Sequence, residues 1–355
     1  MQLRKAMATS AVVVITFLLL TTQTLAMATP SKVLVTGANG YLGSHIVKQL
    51  LEKKYVVHAA VRDAKSPRVS HLLDLPGAED RLKMFSIGDL TTAQFDECMN
   101  GCAAVFHTAT PLTVKFGSHD GKRDIYDPAI KSTQQLLDCI GRHTDNVKCI
   151  VLTSSMSAVA PYPEPQIKDE SCWSDSIRQK SRDNWYGATK TDQERLVQRW
   201  VEEAKSTGTI AKDFKFAAIC PTMIIGPALN KSSDVSGTMG TLQGWLQGKK
   251  TEAPNDSMSF IHVADCAAMH VAAMENPSAS VRYMSLIESW HWNDIAAELK
   301  RLNPIMPEMK LYDGDDIVTP TNFNLDKMNS LGIKIKSARE TLEDSVAYLK
   351  EVGAL

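Results

Sequence analysis

The chain has 355 residues, 44% of them hydrophobic and 22% charged, with a formal net charge of −1. That composition is globular, and the length suits one large domain or two modest ones. A near-neutral balance with scattered basic residues creates no field to gather nucleic acid or anionic lipid, so neither is an expected partner.

The N-terminus has its own pattern. Arg4 and Lys5 precede an unbroken apolar run, Ala11 to Leu20, and small residues follow at Thr24 to Ala28. Charged head, short apolar core and small-residue exit predict a secretory signal peptide over residues 1–28, cleaved after Ala26 or Ala28, or an uncleaved membrane anchor. The expected localisation is the secretory pathway, the ER or a membrane. Translation from Met27 would instead give a cytoplasmic protein. The seven cysteines are odd in number and dispersed, which does not read as a disulfide framework. Cys98 and Cys102 lack a second Cys/His pair at zinc spacing, so no metal is expected. Two N-x-S triplets, at Asn230 and Asn255, matter only if the chain is secreted.

From Lys32 the pattern is that of a folded domain. Val33 to Val35 reads as a strand, and Gly37, Gly40 and Gly43 follow at spacings of three. Leu42, Ile46, Val47, Leu50 and Leu51 then recur at helical spacing, and Tyr55 to Val61 reads as a second strand. Strand, glycine turn, helix and strand form the context a dinucleotide-binding motif requires. Gly37 permits a tight turn, Gly40 a close approach of pyrophosphate, and Gly43 close helix–strand packing, with amide donors at the helix start. Arg62 ends the second strand, and its guanidinium fork with the nearby Lys65 suits the 2′-phosphate of NADP(H) better than the ribose of NAD(H). Asp89, after the third strand, is placed to accept from the adenine amino group.

Further strands are predicted at Leu82–Ile87, Ala103–Thr108, Lys148–Ser154 and Phe214–Cys220, with helices over Asp124–Ile140 and Lys190–Ala204. The alternation predicts an α/β fold, a doubly wound parallel sheet of Rossmann type. Ligands lie beyond the carboxyl ends of such strands. The expected organisation is an NADP-binding domain over 31–227, to which 259–287 returns, and a smaller discontinuous substrate lobe over 228–258 and 288–355.

Two elements point to catalysis. Tyr186 and Lys190 are four apart, on one face of a helix. A phenol donates a proton poorly near neutral pH unless its anion is stabilised, which a neighbouring ammonium does. Ser155, at the end of the fifth strand, is placed to hold a substrate oxygen. His107 ends an apolar strand and is expected to be a packed structural residue.

The segments "VTGANGYLG", "VRDAK", "GDL", "FHTATP", "TSS", "YGATK", "PTMIIGP" and "FIHVADCAAMH" resemble, in that order, the extended short-chain dehydrogenase/reductases of the NAD-dependent epimerase/dehydratase family. "VRDAKSPRVSHLLDLPGAEDRL" and "DESCWSD" are most similar to the dihydroflavonol reductase and cinnamoyl-CoA reductase branch. The resemblance implies Ser155, Tyr186 and Lys190 as the catalytic set. It implies cofactor contacts at Gly37, Gly40, Tyr41, Leu42, Gly43, Arg62, Lys65, Asp89, Leu90, Thr108, Ala109, Thr110 and Pro221, and at Tyr186 and Lys190 as well. Cinnamoyl-CoA reductases usually carry C-Y-G where Gly187, Ala188 and Thr189 stand here. Plant dihydroflavonol reductases usually carry Asn where Ala160 falls, so a reaction class transfers and a substrate does not. The resulting expectation is an NADPH-dependent reductase of a ketone, aldehyde or acyl thioester, monomeric or homodimeric. An NAD(P)-dependent epimerase, a hydroxysteroid dehydrogenase and a non-catalytic nucleotide sensor are the alternatives.

Overall fold

Alternation along the first strand sorts its side chains between two cores. Val33 and Val35 face one side and meet Ile46, Val47, Leu50 and Leu51, while Leu34 faces the other and packs with Leu136, Leu137 and Ile140. The same division recurs across the sheet, with Phe106 and Val151 on the first side and Val105, Ile150 and Leu152 on the second. A sheet apolar on both faces has to be covered on both, which is the layering of a doubly wound fold.

The computed structural model describes residues 31–111, 120–279 and 281–355. The expected leader lies outside them, as does most of the loop between Leu112 and Gly121. In chain order the strands are β1 (Lys32–Thr36), β2 (Val56–Val61), β3 (Leu82–Ser86), β4 (Ala104–His107), β5 (Cys149–Thr153), β6 (Lys215–Pro221), β7 (Met223–Ile225), β8 (Ser257–His262), β9 (Arg282–Ser285) and β10 (Ser289–His291). A short two-stranded ladder, Ile167–Lys168 with Asn322–Phe323, lies apart from them. The longer helices are α1 (Tyr41–Glu52), α2 (Asp127–Arg142), α3 (Trp185–Ser206), α4 (Gly237–Leu246), α5 (Val263–Glu275), α6 (Trp292–Leu302) and α7 (Ala338–Glu351).

Seven strands form one parallel sheet in the order β9-β6-β5-β4-β1-β2-β3. The chain runs outward from β1 through β2 to β3, then crosses to β4 on the other side of β1. That reversal opens a crevice at the carboxyl ends of β1 and β4. The two ends are tied there: Thr108 Oγ1 donates to the Thr36 carbonyl at 2.6 Å, and the Ala109 amide donates to Thr36 Oγ1 at 3.3 Å.

A second sheet, β10-β8-β7, supports the remaining core. Phe260 and Ile225 from its strands pack with Leu242, Trp245, Trp292, Leu299, Leu342 and Val346, and the Trp245 and Trp292 rings meet edge to face at 4.8 Å. The return to the large sheet is carried by α5 and β9. The strand β8, which the sequence reading grouped with that return, pairs instead with β7 and β10. Lys32–Leu355 is one compact unit, so the two lobes share a single body. All seven cysteines are free thiols; six are buried and Cys172 is partly exposed.

Candidate active site

The glycine turn is built as its spacing predicts. Gly37 takes a left-handed φ of 65°, and its amide donates to the Ala60 carbonyl at 3.0 Å. At Gly43 a Cβ would lie 2.2 Å from the Gly37 carbonyl oxygen, closer than backbone tolerates. Helix α1 starts at Tyr41 with no side-chain cap and no acidic residue in its first turn, so its first amides face outward unpaired by the helix itself. A cavity of about 750 Å³ begins there and is lined by Gly37, Gly40, Tyr41, Leu42 and Gly43. The Tyr41 ring contributes elsewhere: its hydroxyl donates to the Gly226 carbonyl at 2.6 Å.

One end of the cavity reaches Arg62 beyond β2. Arg68 and Ser66 line it as well, and sequence reasoning missed both. Ser66 accepts from the Arg68 amide and caps the short turn Pro67–Val69, which brings Arg68 to the same rim as Arg62. Lys65 is not among the lining residues. Neither is Asp89, whose Oδ1 accepts from the amide and hydroxyl of Thr91 and whose carboxyl is held below the usual range by those bonds. Leu90, Thr108, Ala109, Thr110 and Pro221 all line the cavity. So do Ser236, Gly237 and Thr238, from a polar stretch in which the sequence shows no binding pattern; the Thr238 hydroxyl donates to the Ile224 carbonyl, which fixes the start of α4 beside β7.

The other end holds Tyr186 and Lys190 with Thr153 and Ser154, while Ser155 is not among the lining residues. Asn184 accepts from the Gly187 amide and starts α3, which places both side chains on one face. Lys190 is almost wholly buried; its Nζ donates to Thr110 Oγ1 and to the Thr153 carbonyl, both at 2.8 Å. Burial lowers its pKa to about 8, partly countered by Cys220 and Glu194. Tyr186 opens part of its surface to the cavity, while the packing around the rest of the ring raises its phenol above the usual value. A hydrogen bond with Ser155 pulls it back. Ser155 itself begins the turn Met156–Ala158, where its Oγ accepts from the Ser157 amide at 3.1 Å. Its remaining hydroxyl proton is therefore available to an oxygen at Tyr186.

His107 is buried and turned away from this chemistry. Its ring nitrogens meet Thr36 Oγ1 at 2.9 Å and Thr133 Oγ1 at 3.1 Å, and burial lowers its pKa to about 3. It is a neutral link between β4, β1 and α2.

The arrangement can hold a long, anionic, nucleotide-like molecule between a guanidinium pair and a protonatable phenol. Residues 33–285 match the NAD dependent epimerase/dehydratase family. The chain is 33% identical over 328 residues to cinnamoyl-CoA reductase CAD2 of Medicago truncatula, covering 90% of this chain and 95% of that relative. It is 32% identical over 331 residues to tetraketide alpha-pyrone reductase 2 of Arabidopsis thaliana, covering 92% and 100%. Among solved structures, yeast methylglyoxal/isovaleraldehyde reductase Gre2, complexed with NADPH, superposes with a TM-score of 0.76 at 22% identity, covering 91% of this chain and all of that one. Glycine turn, switch-point cavity and Ser/Tyr/Lys cluster thus coincide with a match across most of the chain: the protein belongs to the NAD dependent epimerase/dehydratase family, in the dihydroflavonol reductase and cinnamoyl-CoA reductase branch.

Proposed function

We propose that the protein is an NADPH-dependent carbonyl reductase acting on a ketone, aldehyde or acyl thioester. The observation that carries this reading is one continuous cavity with Arg62 and Arg68 at one end and Tyr186 and Lys190 at the other. Two guanidinium groups suit a phosphate, and the one carboxylate lining that end, Asp63, is engaged at Oδ1 by the Lys65 amide. The unpaired amides at the start of α1 suit the pyrophosphate between. Both sequence relatives named above are reductases, which supports the reaction, and the NADPH bound by Gre2 supports the cofactor.

When bound, the reduced nicotinamide supplies a hydride to a carbonyl carbon. The chain's own residues manage the oxygen. Ser155 and Tyr186 hydrogen-bond it as negative charge develops, and Tyr186 transfers its proton there. Lys190, held by Thr110 and the Thr153 carbonyl, places a positive charge beside the phenolate that remains. Packing around Tyr186 keeps the phenol neutral and loaded before reaction.

The test follows NADPH absorbance with the purified protein against small ketones and aldehydes, a dihydroflavonol and a hydroxycinnamoyl thioester. Turnover with NADPH well above that with NADH, lost in Tyr186→Phe, is the expected result. Equal turnover by Tyr186→Phe would overturn the proton-donor role, and preference for NADH would overturn the reading of the two arginines.

A further inference from the structure

Below the catalytic pair, α3 carries a third functional-looking side chain on the same stripe. Tyr186, Lys190 and Glu194 stand at i, i+4 and i+8, and Glu194 is fully buried. Its two carboxylate oxygens go to different places. Oε2 accepts from Ser154 Oγ at 2.6 Å, and Oε1 pairs with Arg282 Nε on β9. Arg282 is itself nearly inaccessible. Its Nη1 donates to the carbonyls of Glu170 (2.9 Å) and Cys172 (2.6 Å), its Nη2 donates to the Ala158 carbonyl (3.0 Å), and its guanidinium lies 3.7 Å from the Trp173 ring centre. Four of the five N–H donors of that fork are used. Ser154 precedes Ser155, and Ala158 ends the short turn that Ser155 begins.

We propose that Glu194 is a positioning residue for the reaction: with Arg282 it forms a buried clamp that fixes the turn around Ser155 and the segment Glu170–Trp173 to the helix bearing Tyr186 and Lys190. The inference rests on the reductase reading given above for what Tyr186 and Lys190 do.

The clamp acts by charge as well as by geometry. The titratable groups that act on Lys190 or feel it are His107 from β4, His270 from α5, Cys220 from β6, and Glu194 from its own helix. Burial holds His107 and His270 neutral, with pKa values of about 3 and about 4, and pushes the Cys220 thiol far up. With those neighbours neutral, the Glu194 carboxylate, itself paired to Arg282, is the charged group that opposes the effect of burial on Lys190. A buried carboxylate also carries a risk, because removing one partner strands the other charge.

The experiment compares wild type, Glu194→Gln, the charge-free pair Glu194→Gln/Arg282→Met, and Ser154→Ala, all in the full chain. Lys190 is followed by NMR of 13Cε-lysine, assigned by the signal lost in Lys190→Arg. NADPH affinity and the pH dependence of kcat are measured alongside. In both Glu194 variants the Lys190 midpoint is expected about one pH unit lower, further in the single variant because Arg282 is left unopposed. The alkaline fall in kcat moves with it, while NADPH affinity stays within about twofold because the phosphate contacts are remote. Ser154→Ala keeps the carboxylate, so the midpoint stays and kcat alone falls, by several-fold. An unchanged midpoint and unchanged kcat in the charge-free pair overturn the proposal. If both Glu194 variants fail to fold, Ser154→Ala decides, and wild-type kcat there overturns it. If wild type reduces no carbonyl, the reductase reading fails by itself and the Lys190 midpoint still tests the clamp.

Discussion

The two ends of the cavity use charge in opposite ways. Arg62 and Arg68 are exposed on a rim, where water and salt surround both guanidinium groups. Lys190, Glu194 and Arg282 are buried, and each has its position fixed by named hydrogen bonds. At an exposed rim a charge contributes recognition, and its effect fades beyond a Debye length of ~8 Å at physiological salt. In a buried cluster the loss of water changes the charged group itself: burial lowers Lys190 to about 8, and the Glu194 carboxylate only partly counters it. On the proposed reading, binding and chemistry fall at opposite ends of one cavity, which makes the comparison open to experiment.

The largest effect belongs to the buried end. On the proposed reading Tyr186→Phe removes the proton source, so kcat is expected to fall by roughly 10²–10⁴-fold, with NADPH affinity by fluorescence titration unchanged; a parallel loss of affinity would show that the two ends are not separable. Next is the rim. Arg62→Ala/Arg68→Ala is expected to weaken NADPH by roughly 10–100-fold, as for two charge-assisted hydrogen bonds of ~1.5–3 kcal/mol each, shared and partly screened. NADH affinity should hold, which checks that the arginines read the phosphate.

A smaller effect follows from pH. Lys190 has its pKa lowered to about 8, so it carries charge below that value and loses it as pH rises through it. The rate should be level on the acid side and fall on the alkaline side, up to tenfold per pH unit if the ammonium is essential. Affinity for NADPH should not follow the same curve. The smallest effect is salt: raising ionic strength should weaken NADPH binding severalfold through the rim and leave kcat at saturation unchanged.

What was legible in the chain follows from sequence separation. The β1–turn–α1 unit, Gly37 to Gly43, and the Tyr186/Lys190 pair are local patterns, and their spacing alone puts the groups together. Arg62 was readable because a strand end has a known place in this fold. Arg68 was hidden because its position depends on the Ser66 cap and the turn at Pro67, which reverse the chain after Arg62. Ser236 to Thr238 sit in a polar stretch that alternation cannot order, and only the tie of Thr238 to Ile224 places them at the cavity. Glu194 and Arg282 lie 88 residues apart, and a charged residue on a long helix reads by default as solvent-facing. The division at β8 was misjudged for a related reason: a strand's partner is a matter of topology, and β8 has the same apolar look in either sheet.

The free thiols give the molecule a built-in clock. Six of the seven cysteines are sealed inside, and a soluble thiol reagent would reach them only when the fold breathes. Cys172 alone is partly open, and its carbonyl is one of the acceptors of Arg282. Rapid labelling at Cys172 followed by slow labelling at the other six would therefore set an already accessible site as time zero and clock the opening of the buried core in a single experiment.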